Sequence, residues 1–377
     1  MLGVQRWLRN RKRWRGDPGK ACLRRFSVSG ALSPAVSPEH RGAASPSPSE
    51  SGRRDRRWHV PVPGTLGFLV LIVVVFTIWS PRFASLSNVR TVLFTAAILA
   101  TATLGQLVVV ITRQLDLSVG AVMAATSYFA ISICDGRASL GWIVPLVAVL
   151  LGVLFGFING LVVAVLRIPS IVATLGMLSI IRGLITQSEG GRELTTDYIP
   201  TWLLSFVAWA PGGVPALVVV APLLALMTGG MLRYTRFGRN VFAVGSSLAA
   251  STFYGLSSKR TVIGAYVFSG VLASLAGVLL AGQIGNVTPD VANGWELQTL
   301  AAVVIGGGSL LGGTGSATGA VLGAVVIATI NNGLVHVGIS GYWQQFVQGA
   351  AIVAAVAFDI VVVRRAGSHL TRSAASS

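Results

Sequence analysis

Lysine stands at three positions, Lys12, Lys20 and Lys259, cysteine at two, Cys22 and Cys134, and histidine at four. Each scarcity closes a class of function. Two cysteines, one in a basic stretch and one inside an apolar run, give neither a disulfide framework nor a metal-ligand spacing. His40, His59, His336 and His369 are scattered, and no two have the spacing of a zinc site. The glycine-rich run from Ile305 to Ser316 holds no lysine, so the Gly-Lys-Ser/Thr element that cradles nucleotide phosphates is missing. No Gly-x-Ser-x-Gly elbow occurs. Catalysis by this chain is not expected, nor is a bound metal or cofactor.

Charge is also scarce. Asp, Glu, Lys and Arg make up 11% of residues, against about a quarter in soluble chains. What remains is uneven: residues 1–59 hold 14 Lys/Arg against 4 Asp/Glu, and the rest of the chain holds 15 against 8. A net charge of +17 would point to nucleic acid in a soluble protein, because basic patches neutralise phosphates. Here the cations lie in a polar tail and in short connections beside apolar runs, where they orient a membrane chain. A lipid environment is expected, and no nucleic-acid partner.

The first 60 residues carry Arg-rich runs and a Ser/Pro/Ala stretch with almost no apolar periodicity, too little to offset ordering entropy. They predict a disordered basic cytoplasmic tail (1–60), with an organellar transit peptide or a true start further downstream as alternatives. No apolar run of signal-peptide type precedes residue 64, so a cleaved leader is not expected.

Beyond it, apolar runs follow one another with short breaks. A hydrocarbon core about 30 Å thick needs roughly 20 helical residues, and only helices or closed barrels satisfy the backbone in lipid. The run lengths fit helices. Candidate spans are 64–80, 89–112, 117–134, 141–165, 169–187, 205–232, 259–281, 297–311, 314–334 and 343–363. The fold class is therefore all-α, a polytopic transmembrane bundle of about ten spans. Two of them, 297–311 and 89–112, read as discontinuous helices. A transmembrane domain over 61–366 and a cytoplasmic C-terminal tail over 367–377 follow.

Orientation comes from the connections. That from Arg233 to Arg260 carries Arg233, Arg236, Arg239, Lys259 and Arg260 with no acid, which places it in the cytoplasm. Connections 188–204 and 282–296 hold Glu189, Glu193, Asp197, Asp290 and Glu296 against Arg192 alone, which fits the outside. Ten spans then put both termini in the cytoplasm. Small residues recur every fourth position, as in Gly152, Gly156 and Gly160, and in Ser269, Ala273, Gly277 and Ala281. Such faces let helix backbones approach closely in lipid.

Polar residues interrupt this apolar sequence. In the break from Thr112 to Gly120, Asp116 is costly at membrane depth and needs a cavity, a partner or backbone donors. Asp116 and Ser118 either cap the helix starting near Leu117 or line a permeation path, and the two roles are compatible. Asn159, Asn331 and Asn332, and Gln344 and Gln345 beside Trp343, are amides in apolar sequence. They serve as interhelical glue or as the neutral donors and acceptors, with aromatic faces, that sugar hydroxyls require.

Four stretches taken in order carry a resemblance. They are Leu115-Asp116-Leu117-Ser118-Val119-Gly120; Asn159-Gly160-Leu161-Val162 with Ile168 to Gly176; Arg236-Phe237-Gly238-Arg239; and Glu296-Leu297-Gln298 leading into the glycine-rich run. Together they resemble the permease subunits of bacterial ATP-binding-cassette sugar importers, the ribose, xylose, galactose, rhamnose and autoinducer-2 group. The resemblance implies a permease dimer or a paired paralogue, an ATP-binding-cassette subunit on the cytoplasmic side, an extracytoplasmic sugar-binding protein and residence in the cytoplasmic membrane. It also adds Glu296 and Gln298 to the candidate pathway of Asp116, Ser118, Asn159, Asn331, Asn332 and Trp343. Arg236, Phe237, Gly238, Arg239, Ala250 and Gly255 match the segment that couples to the ATPase. The chain departs from the pattern at Ser246-Ser247-Leu248, usually Gly-Asn-Glu, and at Arg113-Gln114, usually Gly-Gly. Arg113, Thr195 to Pro200 and Gly285 to Thr288 look most like rhamnose-type members. An ATP-independent secondary transporter or channel, and a membrane enzyme acting on lipid, stand as alternatives.

Overall fold

A computed structural model describes residues 62–134, 137–190, 194–211 and 215–339, and positions 343, 346, 349 and 350. The tail over 1–60, the segment 367–377, most of the last candidate span, and Gln344 and Gln345 lie outside the described residues. All the described residues belong to one compact unit.

Among them the chain forms twelve α-helices and one isolated antiparallel bridge. They are α1 (Val62–Trp79), α2 (Leu86–Ile111), α3 (Val119–Ser132), α4 (Val144–Ala164), α5 (Ser170–Glu189), α6 (Thr201–Ala208), α7 (Leu217–Tyr234), α8 (Arg236–Ser246), α9 (Leu248–Phe253), α10 (Ser258–Ile284), α11 (Trp295–Ile305) and α12 (Ala317–His336). Six helical segments are long and apolar enough to cross a membrane, those containing α2, α4, α5, α7, α10 and α12. Shorter apolar helical stretches are Pro63–Trp79 within α1, and α3 and α11. The fold is the expected all-α membrane bundle; the count of ten spans is not reached within the described residues.

Two expectations need correction. The predicted span 205–232 is not one helix: it divides into α6 and α7, and Pro211 and Pro215, which cannot donate to a helical ladder, lie between them. A hydrogen bond from the Ala216 amide to the Trp209 carbonyl (2.9 Å) closes the break. Segment 89–112, expected to be discontinuous, lies in α2, an unbroken helix of 26 residues, and the interruption follows it. The expected companion, 297–311, is indeed short, an α11 of 11 residues. The basic connection holds two helices, α8 and α9, which meet at Ser247. Ser247 Oγ there accepts the Ala250 amide (3.2 Å) and starts a new helix, as Thr235 Oγ1 does for α8 through the Gly238 amide (3.1 Å).

Helix α2 is the axis of the bundle. Its most apolar window is 89% buried, against 22% for α5 and for α7, which leave most of their surface to lipid. Helix α10 packs most extensively against α4, and glycine decides how closely. A Cβ on Gly152 would meet Ser274 Oγ at 2.6 Å, and one on Gly160 would meet Ile263 Cα at 2.7 Å; one on Gly156 would strike the Tyr266 carbonyl. The predicted four-residue glycine stripe is thus the seam between α4 and α10. In lipid, where burial gains nothing, this contact is what holds two helices together.

The polar connections segregate. Leu194 bridges Val287, and Thr196 Oγ1 donates to the Gly285 carbonyl (2.9 Å), so the two acidic connections meet at one end. Helix α10, 27 residues and so about 40 Å long, separates them from the basic connection containing α8 and α9.

Candidate functional site

The break between α2 and α3 is held open by three hydroxyls from two other helices, α5 and α10. Ser170 Oγ accepts the Leu115 amide (3.2 Å), Thr174 Oγ1 accepts the Leu117 amide (3.1 Å), and Tyr266 Oη donates to the Leu115 carbonyl (2.9 Å). Backbone that would be orphaned in lipid is thereby satisfied. Within this frame Asp116 is buried, 3% exposed. Its Oδ1 accepts the Ser118 amide (3.0 Å) and Ser118 Oγ (2.6 Å), and its Oδ2 accepts Ser269 Oγ (3.3 Å).

The expected capping is therefore half right. Asp116 takes the amide just ahead of α3, but Ser118 caps nothing with its own oxygen. Ser118 Oγ instead accepts Asn159 Nδ2 (2.7 Å), which carries the network onto α4. Asn159 Oδ1 is buried and accepts no hydrogen bond from the described residues. Asp116, Ser118 and Asn159, three predicted site residues, thus form one group with Ser269, and no member of it is basic.

A second group lies on α11 and α12. Asn331 Nδ2 donates to Gln298 Oε1 (3.0 Å). Glu296 sits in the first turn of α11, half-buried, and its Oε2 has no hydrogen-bond partner among the described residues. A Cβ on Gly120 would run into that oxygen, and Gly120 lies four residues beyond Asp116, so the two groups adjoin at the start of α3. Asn332 Oδ1 is buried without a partner among the described residues, and Asn332 joins neither group through its side chain. Trp343 is 59% exposed and meets Phe346 edge-on, with ring centroids 5.4 Å apart.

Reading the sequence missed several members. Ser269 and Tyr266 lie on a small-residue helix face and signal nothing beyond packing. Arg182 was legible as a lone cation within an apolar helix. Its guanidinium donates to the carbonyls of Pro289 and Val291 and interacts electrostatically with Glu296 and Asp290. Gln106 on α2 is fully buried, and neither side-chain polar atom has a partner among the described residues.

The predicted coupling residues divide. Arg236, Arg239, Ala250 and Gly255 are exposed. Phe237 packs its ring on Gly264 of α10, and Gly238 is buried, where a Cβ would collide with Leu232 and the Met231 carbonyl of α7. Gly238 is therefore a contact inside the chain, not on its surface. The outward apolar surface of this connection belongs to Leu248 (58% exposed), which the sequence marked only as a departure from the family pattern, and to Phe253 (91%) and Tyr254 (85%), which it did not mark.

The family described as branched-chain amino acid transport system / permease component matches residues 88–356, more than half of the chain. The Ribose import permease protein RbsC of Escherichia coli (strain K12) is 34% identical over 315 residues, which cover 82% of this chain and 97% of that protein. The Autoinducer 2 import system permease protein LsrC of Photorhabdus luminescens is 34% identical over 305 residues, 77% and 88% of the two chains. The Probable ABC transporter permease protein y4mJ of Sinorhizobium fredii (strain NBRC 101917 / NGR234) is 37% identical over 302 residues, 80% and 90%. No solved structure matches the chain.

Proposed function

The chain belongs to the branched-chain amino acid transport system / permease component family, and from its relatives and its site we propose that it carries a monosaccharide inward for an ATP-driven importer. It is a multi-pass permease subunit of the inner membrane and not itself an enzyme; ATP hydrolysis resides on a separate subunit. An ATP-independent transporter or channel has no support from the relatives. A substrate-binding protein outside and an ATP-binding-cassette subunit inside complete the assembly, with a second permease copy or paralogue.

The observation that carries the sugar reading is the Asp116–Ser118–Asn159–Ser269 group. It gathers a carboxylate, two hydroxyls and an amide with no cation, a set suited to neutral hydroxyl-bearing solutes and not to anions. Relatives named for ribose and autoinducer 2 support that class. Rhamnose is the specific sugar we propose, because Thr195 to Pro200 and Gly285 to Thr288, the segments resembling rhamnose-type permeases, meet through Leu194, Thr196, Gly285 and Val287.

The basic α8–α9 connection faces the cytoplasm in this reading and both termini lie on that side, with residues 1–60 forming a dispensable tail. Leu248, Phe253 and Tyr254 present apolar surface to the ATPase there, on the connection that also carries the exposed Arg236 and Arg239. Reconstitution with the ATPase and binding-protein subunits tests the proposal. ATP-dependent uptake of labelled rhamnose, in preference to ribose, is expected. Uptake that persists without the ATPase subunit contradicts the importer reading, and uptake of ribose but not rhamnose contradicts the specific sugar.

A further inference from the structure

Helix α2 ends in an unusual way. Its last turn is closed by the Arg113 amide on the Val110 carbonyl (2.9 Å) and the Gln114 amide on the Val109 carbonyl (3.3 Å). This is the two-bond stop in which the residue after the cap takes the left-handed conformation that glycine normally supplies. Here that residue is Arg113, at φ 63°. A side chain in this conformation is disfavoured, so its retention calls for a compensating contact.

The contact is at the far end of α8. Arg113 Nη2 donates to the carbonyl of Ser246 (2.8 Å), the last residue of that helix. A terminal carbonyl has no partner within its own helix, and a cation suits a helix C-terminus. Two neighbours fasten the same place. The Ile111 carbonyl accepts the Gly313 amide (2.9 Å). Gly245 of α8 lies so close that a Cβ would collide with that carbonyl, and a Cβ on Gly312 would collide with the Arg113 side chain. The end of α2, the end of α8 and the glycine-rich loop thus meet at Arg113. Leu115, bonded to Ser170 and Tyr266, follows two residues later, and Asp116 three.

We propose that Arg113 is a positioning residue that transmits movement of α8 and α9 to the Asp116 group. The inference rests on the reading of α8–α9 as the segment that meets the ATPase. A displacement of α8 pulls on Arg113 through the Ser246 carbonyl. Because Arg113 is held in a disfavoured conformation, release of that bond lets its backbone leave the left-handed region. Leu115 and Asp116 then lose their register against α4, α5 and α10. The glycine-rich loop, tied to Ile111, shares the displacement and passes it to α11 and α12.

The test uses the full permease, alone in nanodiscs and assembled with its ATPase and binding protein, with Arg113→Gly and Arg113→Lys. Glycine removes the guanidinium and the strain together, so insertion and thermal stability are expected to match or exceed those of the wild type. Deuterium exchange in the isolated permease should accelerate at both 114–118 and 246–248. In the complex, solute carried per ATP hydrolysed should fall roughly tenfold, the effect of losing one charge-assisted hydrogen bond. Arg113→Lys, which keeps a cationic donor, should recover part of that ratio.

Wild-type exchange at both segments in Arg113→Gly overturns the inference, as does faster exchange with an unchanged transport ratio. Failure of Arg113→Gly to insert also overturns it, since glycine fits the conformation and the loss would assign Arg113 to assembly. A wild-type complex whose hydrolysis ignores solute instead contradicts the proposed function. The exchange experiment judges the mechanical link independently of that outcome.

Discussion

The Asp116 group and the α8–α9 connection differ in what they place out of character. In the first, polar groups sit where the surroundings are apolar, and every oxygen of the carboxylate is occupied by Ser118 or Ser269. In the second, rings sit in a basic connection, with Phe253 and Tyr254 almost wholly exposed on the same connection as the exposed Arg236 and Arg239. Each misplacement has a cost that the fold bears for a reason: a buried polar group or an exposed apolar patch is more informative than an ordinary core or surface residue. In the function proposed, the difference separates two tasks: the closed region, which holds no cation, selects the solute, and the open one engages a protein.

The largest effect is expected where the closed region is broken. Asp116→Leu leaves the Ser118 amide and the Ser118 and Ser269 hydroxyls without their acceptor, at about 1–3 kcal/mol for a buried group left unpaired. Folded protein or uptake should fall well below that of Asp290→Leu, an exposed position. Equal tolerance of the two substitutions would remove Asp116 from the site.

Next in size is Gly238→Arg. Buried against Leu232 and Met231, this glycine has no room for a side chain, and overpacking costs about 1–3 kcal/mol or more. The expected result is less folded permease, measured by size-exclusion chromatography after extraction. A well-folded variant that lost only ATPase binding would return Gly238 to the docking surface.

The open region is broken more gently. Phe253→Ser combined with Tyr254→Ser should leave insertion and thermal stability unchanged, since both rings face outward, while weakening co-purification of the ATPase roughly tenfold or more, as loss of aromatic anchors does. Unchanged co-purification would move the docking surface elsewhere. The smallest effect belongs to Trp343→Ala, whose exposed ring touches Phe346. Uptake within about twofold of wild type is expected, in line with surface changes of about 0.5 kcal/mol or less. A severe loss would place Trp343 on the pathway.

The two regions were not equally legible in the sequence. Asp116, Ser118 and Asn159 stand out as polar interruptions of apolar runs, and the rule that such groups need partners leads directly to a cluster. Gly152, Gly156 and Gly160 announce a helix seam by their spacing, though not the partner helix, which is fixed only by tertiary packing. Ser269, by contrast, is as small as the residues around it, so its bond to Asp116 left no trace. The division of 205–232 was written in Pro211 and Pro215, which an apolar average overrides. Gly238 misled for a different reason: a glycine signals close approach without saying to what, and Met231 and Leu232 lie only a few residues before it. Phe253 and Tyr254 give no signal as a pair, because aromatic residues are ordinary in any membrane chain until their exposure is known.

The division of labour between the two regions is tested most directly by solute-stimulated ATP hydrolysis in the reconstituted complex, compared between Asp116→Asn and the Phe253→Ser, Tyr254→Ser pair. The account predicts that Asp116→Asn keeps the ATPase bound and its basal rate intact while losing stimulation by solute, and that the double variant loses the bound ATPase itself. Full stimulation in Asp116→Asn, or loss of ATPase binding in Asp116→Asn with retention in the double variant, would contradict it.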